Sequence, residues 1–478
     1  MIPADRPRTP REKALAVNLD SRRYGTFAEI GAGQEVVRWF FQAGGAAGTI
    51  SKSISAYDMV VSDAIYGKTD RYVSRERLQR MLDYEHHLNH SRLREKRSDT
   101  TAFFAFADTV AAKSFKGNSE SHGWMGIKFQ SHPRDEDSQI TIHVRMLDNE
   151  NALQQEALGI VGVNLVYGAC FLYHEPEDLI DSLFDNLSTS RLEIDMVTFD
   201  GIEFRHVDNR VMSLRLVQKG FTPAALFGSE GEILQPSEVL YKKPVLVERG
   251  SFRPVTRVHT DMLQQAMKKF CLQPDVADHK PVALMEITMR NLMADGNLDL
   301  KDFLARADTL ASTGQITLVS DYFEFYRLAA YIRRYTNKPL GITMGIANLQ
   351  EIFKEHHYEN LEGGILESFG RLFKHNTKLY IYPMLKTHLG HTENQPAKNS
   401  RLITLENLPL AKEVQQIFNY LFERGYLESI EPSDLSYLSI LSSNVLSAIK
   451  SGQDDWKSQV PDEVYNIINE RNLFKKNS

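Results

Sequence analysis

The stretch Pro281-Val282-Ala283-Leu284-Met285-Glu286-Ile287-Thr288-Met289 is an almost continuous apolar run, broken only by Glu286 and Thr288. It has the character of a buried strand. Further runs of this kind lie at 316–319, 340–344 and 379–382, with helical patterns between them. In the segment before the third run, Asp321 and Glu324 have capping-box spacing. Phe325, Leu328, Ala329 and Ile332 then recur at i, i+3, i+4 and i+7, and Asn337 and Pro339 end the helix. Short apolar strands alternating with amphipathic helices predict βαβ units and a parallel sheet.

In such a sheet the strand ends gather at one edge. Glu286, Thr288 and Arg290 share one face by the two-residue period. Ser320, Asp321 and Asn348 follow the next two strands. A buried Glu286 must be paired or functional, because an unpaired buried charge is costly. Its neighbour Arg290 is the expected pair.

Outward from this region the pattern changes. Residues 103–106, 124–129 and 140–146 are short aromatic or β-branched runs that predict strands. Ile140, Ile142, Val144 and Met146 alternate with Thr141, His143 and Arg145, which implies a strand with one wet or functional face. The apolar stretch 157–173 is at the short limit of a membrane span and lacks basic flanks. It predicts a buried helix, with Gly159 and Gly162 admitting another backbone. Residues 74–98, rich in charge, suit an exposed helix, and 211–218 suit another.

These elements define an α/β protein. A flexible arm is expected over 1–22 and a mixed N-terminal α/β domain over 23–270. A parallel-sheet βαβ domain follows over 271–400, then a small helical C-terminal segment over 401–478. With 478 residues, two to four domains at roughly 100–200 residues each are expected.

The composition excludes several classes. The 62 acidic and 56 basic residues give a formal charge of −6, with no overall basic footprint for nucleic acid. Cys170 and Cys271 make neither a disulfide framework nor a metal-ligand cluster. Residues 1–13 carry Arg6, Arg8, Arg11 and Lys13 without an apolar core, so no secretory signal is read and a cytoplasmic location is expected.

Three segments have the composition of ligand sites. Glu29-Ile30-Gly31-Ala32-Gly33 lies between a predicted strand and a helix, where a glycine turn can bring phosphate to free helix N–H groups. Val36 stands where a dinucleotide fingerprint would place its third glycine, so a structural turn is the stronger reading. Gly44-Gly45-Ala46-Ala47-Gly48 leads to Lys52 and Ser53, a composition suited to an anion nest or to a flexible connection. Between Asp200 and Arg210 lie acids, His206, Arg205 and Arg210: groups for proton transfer and anion binding, or a self-paired solvated loop. The histidines lack HExxH or comparable spacing, and no metal site is expected. His388-Leu389-Gly390-His391 matches an HxGH core, but only 87 residues follow it.

Residues 27–41, 122–126 and 241–250 resemble a family of uncharacterised bacterial proteins of similar length. Its members carry two conflicting labels, nicotinate-nucleotide adenylyltransferase and TonB-dependent receptor. The second implies a barrel of many alternating strands behind a signal peptide, and neither is read here. The first implies nucleotidyl transfer, for which the HxGH stretch is the matching motif.

The leading expectation is an enzyme or binding protein for a nucleotide or phosphorylated metabolite. Glu286, Asp200 and His206 are the acid/base candidates. Gly31, Gly33, Gly44, Gly45, Gly48, Lys52, Ser53, Arg210 and Arg253 are the phosphate-binding candidates. A nucleotide is the expected cofactor class, no membrane partner is expected, and a homo-oligomer is compatible. Two alternatives stay open: a non-catalytic assembly protein, and a methyltransferase-like fold using the Gly31 loop.

Overall fold

The computed structural model describes residues 7–31, 34–112, 121–294, 296–388 and 402–475. The chain is an α/β protein that divides into two compact units, Met1–Pro223 and Ala224–Ser478.

The first unit holds strands β1 (Arg23–Ile30), β2 (Ile50–Ile54), β3 (Ala102–Ala111), β4 (His122–Gln130), β5 (Asp137–Met146) and β6 (Leu192–Gly201). Their order is β2-β1-β3-β4-β5-β6. β1 runs parallel to both neighbours, whereas β3 to β6 form an antiparallel meander. β1 and β3 are buried along most of their length because helices cover both faces. The helix Arg75–Arg97 packs Leu78 and Leu82 over Gly126. On the opposite face, Met125 lies beside Gly162 of the helix Asn151–Phe171.

The 157–173 run is buried as expected, from Ala157 to Cys170. A Cβ on Gly162 would stand 2.3 Å from Val36 Cγ2, and one on Gly159 would stand 3.1 Å from the Glu35 carbonyl oxygen. The helix Glu35–Ala43 therefore lies directly on these glycines. With the sheet on its other side, the long helix has no wet face. Among the described residues no helix is long and apolar enough to cross a membrane.

The flexible arm expected over 1–22 is corrected in its described part. Pro10–Leu19 is a helix with a Thr9/Glu12 capping box. Lys13 is completely buried, and its ammonium contacts Asn164 Oδ1 at 2.8 Å, the Ser182 carbonyl at 3.1 Å and Asp185 Oδ2 at 2.7 Å. A buried ammonium needs such a set of partners, and these tie the segment down.

The second unit holds β7 (Ala224–Phe227), β8 (Ile233–Leu234), β9 (Val245–Arg249), β10 (Val282–Thr288), β11 (Ile316–Ser320), β12 (Leu340–Gly345) and β13 (Thr377–Tyr382). A ribbon of β14 (Met384–Leu385) and β15 (Leu402–Ile403) precedes β16 (Leu427–Ser429). The large sheet has the order β16-β13-β12-β9-β10-β11-β7-β8. β16 through β11 are mutually parallel, and β7 and β8 extend the far edge antiparallel. Numbered from β9 in chain order, the six parallel strands lie 3-2-1-4-5-6, the doubly wound arrangement.

The four expected strands are all present, but the boundaries expected near 271 and 401 shift. β9 pairs between β10 and β12, so the second unit begins at Ala224. β16 pairs with β13, so the C-terminal segment completes the sheet as well as supplying helices. Val245 and Val247 share a core with Leu328, Ile332, Phe369 and Phe418. Leu246 points the other way, where it and Phe270 both lie against Gly341. Helices thus cover both faces, and neither large sheet closes on itself. The expected cap at Asp321 is replaced by Glu324, whose side chain makes no capping bond.

Replacing Lys13 by Met removes the buried ammonium together with its contacts to Asn164, Ser182 and Asp185. The expected loss is about 3 kcal/mol, read as a lower urea midpoint for the first unit's unfolding; an unchanged midpoint contradicts the role given to Lys13.

Candidate functional site

A cleft of about 750 Å³ opens over the C-terminal ends of the parallel strands in the second unit. Gly250 and Ser251 enter it after β9, Thr288 and Arg290 from the end of β10, and Gly345 to Asn348 from the end of β12. This is the edge where doubly wound sheets place ligands, at the point where strand order reverses between strands 1 and 4. The volume falls within the range of small-molecule sites, about 300–1,000 Å³.

Beside the cleft floor is a buried ion pair. Arg249 Nε lies 2.7 Å from Glu286 Oε2, and its Nη2 lies 2.9 Å from Oε1. Ser320 Oγ donates to the same Oε1 at 2.6 Å. Arg249 also donates to the Phe323 carbonyl and stacks 4.1 Å from the Phe325 ring. Glu286 is fully buried, and both its oxygens are committed. The partner expected from Arg290 is therefore Arg249, which the adjacent strand brings into register beside Glu286. Arg290 is exposed, lines the cleft and stacks at 4.3 Å on Phe323. Among the described residues it has no ion pair.

The opposite wall comes from the helix Arg257–Cys271. His259 Nδ1 accepts from the Thr256 backbone N–H at 3.0 Å, which leaves the ring proton on Nε2. Burial lowers its pKa to about 4, so the ring is neutral at physiological pH. Tyr382 donates its hydroxyl to Asp261 Oδ2 at 2.6 Å. Burial disfavours the Asp261 carboxylate, but hydrogen bonds from Ser433, Tyr382 and Gln265 outweigh it and hold the pKa below the usual value. Behind this wall Glu248 is fully buried, and among the described residues neither carboxyl oxygen has a hydrogen-bond partner. Burial pushes its pKa well up, and it is held as the neutral acid.

None of the acid/base or phosphate candidates within the described residues lines this cleft. Arg253 is turned to Asp302 at 2.6 Å. Glu286 is committed to Arg249 and Ser320; the rest belong to the first unit, where most have local partners. Glu29 accepts from the backbone N–H groups of Val36 at 2.9 Å and Val37 at 3.2 Å. The helix amides expected to hold phosphate are thus taken by the chain's own carboxylate. Gly31 has φ +100°, and a Cβ there would stand 1.9 Å from the Val110 carbonyl oxygen, so the turn needs glycine for packing. Gly33 lies outside the described residues. Gly44 and Gly45 take positive φ where the helix Glu35–Ala43 ends, and they and Gly48 are exposed. Lys52 pairs at 2.5 Å with buried Glu85, and Ser53 accepts from Gln34 at 3.1 Å. Arg210 forks onto Asp208 at 3.1 and 2.8 Å. Asp200 and His206 are exposed.

The residues that do line the cleft were partly visible in sequence. Thr288, Arg290 and Asn348 follow strands, and His388 begins the HxGH stretch; its other three residues lie outside the described ones. His259 and Tyr382 gave no local signal, because a histidine inside a helix and a tyrosine inside a strand read as packing. The wet face expected on β5 is also corrected. His143 is buried, with Nδ1 at 2.6 Å from Asp195 and Nε2 at 3.0 Å from His122 Nδ1, and Arg145 pairs with Glu193 at 2.9 Å. Partners on β6 remove the need for water.

No family model matches this chain, and no curated protein matches it. Among solved structures, the competence/damage-inducible protein CihA of Agrobacterium tumefaciens aligns at 15% identity, over 35% of this chain and 96% of its own, with a TM-score of 0.25. A CinA-superfamily competence-damaged protein from Enterobacter cloacae aligns at 13% identity over the same shares, also at 0.25. One from Escherichia coli aligns at 15% identity, over 35% of this chain and 92% of its own, at 0.23.

Because Glu248 binds its proton more tightly when folded, it favours the folded state fully only below the unfolded carboxyl pKa. That contribution declines as pH rises from about 4.5 toward the raised folded value. Urea titrations of the wild type and Glu248→Gln across pH 4–8 are expected to diverge, the variant gaining relative stability as pH rises. Parallel curves would show that Glu248 does not titrate this way.

Proposed function

We propose that the second unit binds a nucleotide or phosphorylated metabolite in the cleft above β9, β10 and β12. The observation that carries this reading is an exposed arginine, without an acid partner among the described residues, in the cleft at the switch point of a 3-2-1-4-5-6 parallel sheet. Arg290 presents a planar guanidinium suited to bidentate contact with a phosphate. Its stacking on Phe323 limits the rotamers it must give up on binding. Neutral His259 supplies an N–H donor, and Ser251, Thr288 and Asn348 supply hydroxyl and amide groups suited to a sugar or base edge. His388 and His357 line the same cleft and are candidates for proton transfer. Nucleotidyl transfer, the finer reading from family resemblance, would have to use these residues.

The test is isothermal titration of the full chain with ATP, AMP, NAD and inorganic phosphate, alongside thermal melting. A true ligand at 100 times its Kd adds about 2.7 kcal/mol of stability. Arg290→Met is expected to weaken binding at least tenfold, consistent with losing a charged hydrogen bond of about 1.5–3 kcal/mol. Arg210→Met, already paired with Asp208, is the control expected to bind normally. Flat titrations across the panel would end this reading.

A second reading, assembly, rests on a different observation. Tyr57, Met59, Val60 and Val61 are 69%, 61%, 76% and 49% exposed on one short segment, an apolar surface of the kind that marks interaction sites. Sedimentation above the 54.5 kDa monomer mass, reversed by Val60→Glu, is the expected outcome for a self-associating chain. Monomeric sedimentation of the unaltered protein would remove self-assembly.

A further inference from the structure

We propose that His86, His90 and Asp137 of the first unit form a binding site for one divalent transition-metal ion of the zinc type. His86 and His90 stand four residues apart on the helix Arg75–Arg97 and so share a face. That helix packs on β3 and β4, which brings the face against Asp137, the first residue of β5. One ligand atom from each residue lies within 4.8 Å of the other two.

The spacing is that of ligands around a shared centre. For bonds of about 2.0–2.1 Å in a tetrahedral site, ligand atoms stand roughly 3.3–3.4 Å apart. His86 Nδ1 and Asp137 Oδ2 are already 3.3 Å apart, yet no hydrogen bond joins them. The His86 and His90 rings are 4.7 Å apart between centroids, close enough for one nitrogen of each to share an ion. His86 is 3% exposed, so its ring is held in place by packing with Nδ1 toward Asp137. Two imidazoles and one carboxylate are a set common in sites with an open position, and imidazole favours zinc, copper, iron or nickel over magnesium and calcium.

The fourth position opens into a cleft of about 850 Å³. Its rim carries Arg94, Arg134 and Lys128. Lys128 is 3.9 Å from Asp137 and 2.9 Å from Asp83, and Arg134 pairs with Asp99. Acids therefore already balance two of these three cations. A second three-residue group, Glu351, His356 and His357, serves as an internal comparison. There the carboxylate is already held by Lys354 at 2.6 Å and His357 at 2.7 Å, so it has little left to offer an ion.

The experiment uses the untagged full chain, stripped with chelator and titrated calorimetrically with Zn²⁺, with Co²⁺ as the absorption probe. One equivalent of Zn²⁺ is expected to bind. Co²⁺ is expected to show the visible bands of a four-coordinate site. His90→Ala and the milder His90→Gln should each weaken binding at least tenfold, as should Asp137→Asn, while His356→Ala leaves it unchanged. Circular dichroism confirms that each variant is folded. No binding at tens of micromolar Zn²⁺, or binding that survives both His90 substitutions, would overturn the proposal.

Discussion

The Arg249–Glu286 pair organises the second unit. Arg249 ends β9, Glu286 lies in β10, and Ser320 ends β11, so one carboxylate gathers three adjacent strand ends. The same guanidinium holds the Phe323 carbonyl and the face of Phe325. Those residues begin the crossover that carries the chain from the third parallel strand to the fourth. The reversal of strand order is thus anchored by one side chain. A buried pair offsets its desolvation only when geometry is good and the remaining lone pairs are used. Contacts at 2.7, 2.9 and 2.6 Å meet that condition. The cleft exists because the chain departs in opposite directions on either side of this anchor.

Around the cleft, most other charge is removed or matched. Glu248 is neutral because it is buried, and His259 is neutral because burial lowers its pKa. Asp261 stays ionised, but Ser433, Tyr382 and Gln265 satisfy it. Glu351 is matched by Lys354 and His357, and Glu324 lies 3.5 Å from Arg327. Against this background Arg290 has no acid partner among the described residues. On the proposed reading, Arg290 would hold an anionic group, with the aromatic and amide lining against a larger body attached to that anion. Specificity here would follow from charge bookkeeping across several elements, with no single glycine-rich loop responsible.

How much was legible in the sequence depended on how local each constraint is. Strand and helix periodicities are local, so the four parallel strands, the 157–173 helix and the close approach at Gly159 and Gly162 could all be read. Partnership is not local. Glu286 is 37 residues from Arg249, and the sequence offered Arg290 only because it was near. Lys13 looked like part of a solvated basic arm because its partners Asn164 and Asp185 are more than 150 residues away. The domain boundary failed for a similar reason: Val245–Arg249 is too short to announce which sheet it joins. The His86–His90 spacing went unread, because the sequence showed no ligand motif and the carboxylate arrives from β5, with β3 and β4 between.

The first unit shows why a glycine-rich turn between strand and helix is insufficient evidence for an anion site. Such a turn exposes amide donors, and what matters is which anion reaches them first. Here Glu29 precedes the turn and folds back onto Val36 and Val37. A tethered carboxylate has an entropic advantage over any free phosphate, since the chain has already brought it into place. Retaining it there has a cost: burial, and to a lesser degree the nearby Glu35 charge, raise the Glu29 pKa to about 7. Asp108 faces Glu29 from the adjacent strand, and burial together with that neighbouring charge pushes its pKa well up. The two carboxyls therefore avoid being ionised together. An incoming anion would need to displace Glu29 and leave it buried without the Val36 and Val37 amides that support it. That competition separates this turn from the second unit's cleft, where no acid among the described residues pairs with Arg290.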